Sequence, residues 1–293
     1  MNPFPQKIKK IAVVSPAGLP DELHLKESLA LLEEWSIEVV LGKYALAKGE
    51  ESYYAADAMR RAEDFNRAIA DESIDLILCS RGGYGSAQIL PLIDWYGLKK
   101  RRLPVLGYSD ITAIHLAMLS KHAGLPVTTQ MAASLFKSSR NSFTMKSMNS
   151  VLSGKEQCAK LFPFKTTGFS ERNIEGKLIA ANLSLLASLC GTGFLPDFRN
   201  TILILEDVSE RPRIVDRHLT QLRLAGILDQ CAALLFGHFK RCGSTEEINR
   251  IMKRFAVQIK APVFHGPRFG HTASSLSFVC GKKVRIDSGS LFF

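Results

Sequence analysis

The run Leu103-Pro-Val-Leu-Gly-Tyr-Ser-Asp-Ile-Thr-Ala113 sets a serine, Ser109, between an apolar strand-like stretch and the start of a helical one. A turn of that kind lifts the hydroxyl off the sheet edge, while the backbone N–H of Asp110, at the helix start, points toward whatever Ser109 attacks. Such geometry suits acyl transfer. The residue two beyond the serine is Ile111, so the turn departs from Gly-x-Ser-x-Gly. A base and an orienting acid must therefore come from elsewhere in the chain.

The acid has a candidate in Thr201-Ile-Leu-Ile-Leu-Glu206-Asp207, a strongly apolar strand closed by two carboxylates. A carboxylate at a buried strand end needs a cationic or imidazole partner. The arginines that follow, Arg211, Arg213 and Arg217, would meet that need structurally, so the segment alone is as compatible with an ion pair as with catalysis. The base must be one of the histidines. His115 lies two helical turns beyond Ser109 and points away from it; His122 and His218 fall in helices; His265 is inside an apolar strand. His238 closes the strand Ala-Leu-Leu-Phe-Gly-His, and His271 sits in the glycine-bearing loop Arg268-Phe-Gly-His-Thr. Spacing favours these two without choosing between them.

Ser80-Arg-Gly-Gly-Tyr-Gly-Ser86 follows another strand. Its glycines do not match G-x-G-x-x-G, and no Lys-Ser/Thr follows for a phosphate loop. Glycines there let backbone N–H groups approach a bound oxygen, so Gly82 and Gly83 are candidates for the second donor of an oxyanion hole beside Asp110. Arg81 is a candidate ligand for a substrate carboxylate.

The elements that would position these groups alternate. Strands are expected at 9–14, 37–41, 74–79, 103–107 and 126–129, and helices at 23–35 and 53–70, the latter with Met59, Ala62, Phe65 and Ile69 at helical spacing. Strand-helix units of this length demand a mainly parallel sheet covered on both faces, with ligands at the carboxyl ends of its strands. The loops 15–18, 80–86 and 108–110 should thus share one crevice. The class is α/β, in three parts: a domain over 1–150 carrying the serine turn, a linker over 151–172, and a smaller α/β domain over 173–293. The last has strands at 174–178, 201–205, 231–236 and 276–287 and helices at 212–225 and 246–259.

With 293 residues, 46% of them hydrophobic and 23% charged, the chain has the composition of a globular protein with two cores. The apolar run near the amino terminus stops after Ile11-Ala-Val-Val14, too short for a secretory signal, and no later stretch could span a bilayer, so a cytoplasmic protein without membrane insertion is expected. The six cysteines lie far apart, with no C-x-x-C pair, and read as free, mostly buried thiols rather than metal ligands; Cys79 reads as a core residue. The net charge of +10 includes one dense basic run, Lys99-Lys-Arg-Arg102, at the amino end of the strand that carries Ser109. It reads as a solvated face, and no nucleic-acid partner is expected.

Five segments, Ser80-Arg-Gly-Gly-Tyr-Gly85, Gly107-Tyr-Ser-Asp-Ile-Thr112, Glu175-Gly-Lys-Leu-Ile-Ala-Ala-Asn-Leu183, Ile204-Leu-Glu-Asp-Val-Ser-Glu210 with the following Arg213-Ile-Val-Asp-Arg217, and Phe269-Gly-His271, run in order over essentially the whole chain. Together they resemble the murein tetrapeptide L,D-carboxypeptidase family, serine peptidases related to the microcin-immunity peptidases. The resemblance implies a flavodoxin-like (class I amidotransferase-like) N-terminal domain, a swivelling C-terminal one, and a Ser-Glu-His triad. In this chain the nucleophile would be Ser109, the general base His271 and the orienting acid Glu206, with Asp110, Gly82 and Gly83 forming the oxyanion hole. Arg81, Tyr84, Asn182 and His238 would contact substrate. It further implies release of terminal D-alanine from a murein tetrapeptide or related muropeptide in peptidoglycan recycling, without metal or cofactor, and leaves a homodimer open. The chain departs from the family pattern at Ala180-Ala181, where paired glycines are common, and in its serine-rich segment after His271. Two other readings stay open: an immunity peptidase cleaving a peptidyl-nucleotide, and a non-catalytic module binding small anions. The immunity peptidases carry a longer aromatic-bearing insertion between the domains, whereas 151–173 is short and holds only Phe162, Phe164 and Phe169.

Overall fold

Each buried strand of the first half feeds a helix, and Asp and Asn side chains start several of those helices. In the computed structural model, which describes residues 1–51, 53–164 and 173–293, β1 (Lys10–Val14) leads to α1 (Glu22–Glu34), β2 (Glu38–Leu41) to α2 (Ala58–Ala70), and β3 (Leu76–Cys79) to α3 (Ser86–Ile89) and α4 (Trp95–Arg101). After β4 (Pro104–Gly107) come a 3₁₀ turn at Ser109–Ile111 and α5 (Thr112–Lys121), then β5 (Leu125–Thr128), α6 (Ala132–Ser139) and α7 (Ser142–Leu152). Asp21, Asp57, Asp94 and Asn141 each accept a backbone N–H at the start of α1, α2, α4 and α7. The five strands lie parallel in the order β2-β1-β3-β4-β5. All four residues of β3 are buried, as a sheet covered on both faces requires.

The second sheet has eight strands. They are β6 (Cys158–Lys160), β7 (Phe162–Pro163), β8 (Ile174–Asn182), β9 (Thr201–Val208), β10 (Ala233–Lys240), β11 (Val263–His265), β13 (Lys283–Asp287) and β14 (Ser290–Phe292), in the order β6-β14-β13-β8-β9-β10-β11-β7. The central β8-β9-β10-β11 are parallel. Among them run α8 (Leu183–Ser188), α9 (Pro212–Leu224), α10 (Ile227–Gln230) and α11 (Thr245–Gln258).

Several expectations change. The stretch 276–287 is not one strand: β12 (Phe278–Val279) pairs antiparallel with β5 at the edge of the first sheet, and the chain then turns at Gly281, φ +86°, to return as β13 beside β8. The C-terminal segment thus stitches the two sheets together. The described part of 151–172 is not a plain connection, because β6 and β7 close the two edges of the second sheet; residues 165–172, Phe169 among them, lie outside the described residues. With those strands the second sheet is the larger of the two. Helix α2 begins at Ala58 rather than 53, where Asp57 caps it, and Met59 is 67% exposed while Arg61 takes the inward place with Phe65 and Ile69.

Nor is the basic run wholly a solvated face. Arg101 donates through Nη1 to the carbonyls of Ala68, Ile69 and Asp71, closing the end of α2. The cysteines are all free, with Cys79, Cys231, Cys242 and Cys280 buried. One apolar cluster runs through both halves: Ile114 and Leu116 of α5 belong to the same core as Leu183 and Leu186 of α8 and Leu219 of α9. The helix that follows Ser109 is therefore braced by the second half of the chain.

Candidate active site

Three loops meet at the carboxyl ends of β1, β3 and β4, as the parallel arrangement demands. Ser15 Oγ lies 2.6 Å from Ser80 Oγ, Gly18 N–H donates to Gly82 O at 2.9 Å, and Ser86 N–H donates to Asp110 Oδ2 at 2.8 Å. Beneath them lies a guanidinium that helical periodicity conceals. Arg61, 1% exposed, donates from Nε to Ala56 O, from Nη1 to Pro16 O and Gly85 O, and from Nη2 to Gln88 Oε1. One fork thus fixes the loops after β1, before α2 and after β3. Its sequence signal is a charge on the apolar stripe, four residues before Phe65.

Ser109 has φ +62°, the left-handed conformation of a strained turn. The turn can be this tight because Gly107 has no side chain: a methyl there would lie 2.9 Å from Ile111 Cγ1. Gly82 faces the serine in the same way, so that a methyl on it would come within 3.2 Å of Ser109 Oγ and 3.3 Å of Asp110 N. The space that Gly82 leaves open is bordered by a hydroxyl and a backbone N–H in the first turn of a helix, the surroundings an oxyanion needs. The Asp110 side chain turns away from it, buried and held by Ser86; burial raises its pKa above the ordinary carboxylate value, and the Ser86 hydrogen bonds pull it part of the way back.

The second half supplies an acid and an imidazole. Glu206, fully buried near the end of β9, accepts from His271 Nδ1–H at 2.8 Å through Oε2 and from Asn182 Nδ2 at 3.0 Å through Oε1. With Nδ1 protonated, Nε2 of His271 is left as the free basic nitrogen. Gly270, at φ +112°, makes the approach possible, since a methyl on it would lie 2.6 Å from Glu206 Oε2. The neighbouring Asp207 does not reach the imidazole; it accepts from Asn182 Nδ2, from Ser184 N and Oγ, and from Val208 N. Burial raises its pKa above the ordinary carboxylate value.

The ring of Tyr108, next to the serine in sequence, lies 5.0 Å from the His271 ring. Its phenol is pushed up to about 12, by burial first and the Glu206 charge second. The serine turn and the imidazole thus share one side of the crevice. Among the described residues, Ser109 Oγ and His271 make no hydrogen bond to each other.

The remaining candidates separate. Asn182 is buried and links Glu206 to Asp207, while its own N–H donates to Thr112 Oγ1 at 3.1 Å. It therefore positions the acid from within the core instead of lining a groove. Arg81 is exposed, with Nη1 donating to Leu19 O at 2.8 Å. Tyr84 is 57% exposed and stacks on Tyr54, with ring centroids 5.7 Å apart. His238 lies exposed on β10, its N–H donating to Phe269 O. His115 is buried, donating Nε2–H to Val105 O at 3.0 Å.

Comparison with known proteins agrees with this architecture. Residues 11–130 match the LD-carboxypeptidase N-terminal domain and residues 175–286 the LD-carboxypeptidase C-terminal domain. The murein tetrapeptide carboxypeptidase of Pseudomonas aeruginosa is 30% identical, over 96% of this chain and 94% of that protein. A probable murein peptide carboxypeptidase of Bacillus subtilis is 29% identical over 98% of this chain and 92% of that protein. The crystal structure of muramoyltetrapeptide carboxypeptidase from Oxalobacter formigenes superposes with a TM-score of 0.84 at 25% identity, covering 97% of each chain. The microcin self-immunity protein MccF in its wild-type apo state shares the fold at 20% identity, with a TM-score of 0.82 over 100% of this chain and 98% of that one. The two-sheet α/β scaffold is thus that of a peptidase. The chain belongs to the LD-carboxypeptidase family.

Proposed function

We propose that the protein is a serine carboxypeptidase that releases terminal D-alanine from murein tetrapeptides, with Ser109 as nucleophile, His271 as general base and Glu206 as the group that orients and charges the imidazole. The observation that supports this reading is the Glu206 Oε2 to His271 Nδ1 pair at 2.8 Å, with the His271 ring 5.0 Å from the ring of Tyr108, the residue before Ser109. His271 Nε2 takes the Ser109 proton as Oγ adds to the carbonyl of the L-centred diamino acid, and the oxyanion forms beside Asp110 N–H and the Gly82-Gly83 backbone. Collapse breaks the C–N bond; the nitrogen leaves as the amine of D-alanine, taking the proton from His271. Water, deprotonated by the same imidazole, then frees the acyl group from Ser109, so the sum is addition of one water across one peptide bond.

In this reading the chain divides into a serine-bearing domain at 1–150, a connection at 151–172 and an acid- and imidazole-bearing domain at 173–293. The order β2-β1-β3-β4-β5 supports a flavodoxin-like first domain. Six free thiols fit a reducing cytoplasm, where muropeptides are recycled, and no described helix is long and apolar enough to cross a membrane. The peptidyl-nucleotide alternative is separated by substrate. The protein, incubated with a D-alanine-terminated murein tetrapeptide and in parallel with an aminoacyl sulfamoyl nucleoside, should release D-alanine from the first far faster than it cleaves the second. The reverse preference would overturn the assignment.

A further inference from the structure

A carboxypeptidase must recognise the free carboxylate at the end of its substrate. On the basis of the serine carboxypeptidase activity assigned to this site, we propose that Arg268, with His238 beside it, binds that terminal carboxylate. Arg268 lies three residues before His271, in the same loop beyond the carboxyl end of β11. The end of β10 packs directly on this loop: His238 N–H donates to Phe269 O at 2.9 Å, and a methyl on Gly237 would come within 2.7 Å of the same oxygen. His238 and Arg268 therefore flank Phe269, both exposed, next to the segment that carries the imidazole.

The guanidinium of Arg268 is held from the other half of the molecule, its central carbon 5.5 Å from the ring centroid of Phe143, in the first turn of α7. A guanidinium resting on an aromatic face keeps its edge donors free for a carboxylate fork. Among the described residues no carboxylate lies within ion-pair distance of it. Two other arginines near the serine loops have backbone partners: Arg61 is buried under four acceptors, and Arg81 donates to Leu19 O. His238 feels both ends of the site. Its pKa is lowered by partial burial first and by the Arg268 charge second, against the opposing pull of Glu206, so the charges of Arg268 and Glu206 both reach the His238 ring.

The test compares two substrates, a murein tetrapeptide ending in D-alanine and the same peptide ending in D-alaninamide, on the wild-type protein, Arg268→Gln, Arg268→Lys and Arg81→Gln. The wild type should favour the acid by about 10²-fold in kcat/KM, mostly through KM, as a charge-assisted pair provides. In Arg268→Gln the acid should lose far more than the amide, so that the preference falls to within a few-fold. Arg268→Lys should recover part of it, and Arg81→Gln should keep it. A preference that survives in Arg268→Gln, or that vanishes in Arg81→Gln, would overturn the proposal. A wild-type protein that cleaves neither peptide would overturn the functional reading itself, an outcome distinct from the other two. Because Arg268 is exposed, far-ultraviolet circular dichroism of each variant should match the wild type.

Discussion

Gly82 and Ser109 face each other so closely that a methyl group on the glycine would lie 3.0 Å from Ser109 Cβ and 3.2 Å from Ser109 Oγ. The glycine loop is therefore one wall of the site, and its smallness is what leaves room for a reacting carbonyl. Gly82→Ala should fold, because its φ is not positive, yet lose about 10²-fold or more in kcat, the loss expected when an oxyanion site is obstructed. Steady-state rates beside a thermal melt will check this. A variant with wild-type kcat would remove Gly82 from the site.

Asn182 holds two buried carboxylates apart with a single amide, donating to Glu206 and Asp207 at 3.0 and 2.9 Å. Asn182→Asp keeps the cap on Leu185 N but turns that donor into a third negative charge. The expected result is loss of activity and of roughly 3 kcal/mol or more of stability at neutral pH, the scale of an uncompensated buried charge. Urea unfolding at pH 7 and pH 5 should show the deficit shrinking as a carboxyl takes up a proton. A variant as stable as the wild type at pH 7 would contradict this network.

His115 makes stability depend on pH. Burial depresses its pKa to about 4, against 6.5 for a free imidazole, and Nδ1 has no partner among the described residues. The unfolded chain binds a proton on this group below pH 6.5 while the folded chain stays neutral. Its contribution is thus fully present above pH 6.5 and is lost as pH falls toward 4, at about 1.4 kcal/mol per unit. The buried carboxylates Asp64, Asp110 and Asp207, with raised pKa values, act in the opposite sense. The comparison with His115→Gln isolates the imidazole: between pH 6.5 and 4 the wild type should lose stability more steeply than the variant. Parallel curves would show that the ring titrates freely.

Much of this site is readable from residue types because strand ends and glycines leave strong marks. Ser109 after an apolar run, Gly82-Gly83 after another, and Glu206 closing a third all fall where parallel strands deliver them. The choice of His271 over His238 needs the family resemblance, because a loop's reach depends on tertiary packing, here on Gly270 yielding to Glu206. Arg61 escapes sequence reasoning because an arginine in an amphipathic helix normally faces water, and only the carbonyls of three converging loops make its burial tolerable. The split of 276–287 between two sheets has no sequence mark beyond Gly281, since β12 is only two residues long. Asn182, which the resemblance sets against substrate, is buried because two carboxylates need its amide as a donor.

The most direct measurement is release of free D-alanine from a murein tetrapeptide by the wild type and by Ser109→Ala, followed by mass spectrometry at equal protein concentration. The wild type should release it, and the variant should fall by roughly 10⁴-fold or more with an unchanged melting curve, as loss of a nucleophile requires. D-Alanine released at the wild-type rate by Ser109→Ala would show that the hydroxyl on the β4 turn is not the attacking group.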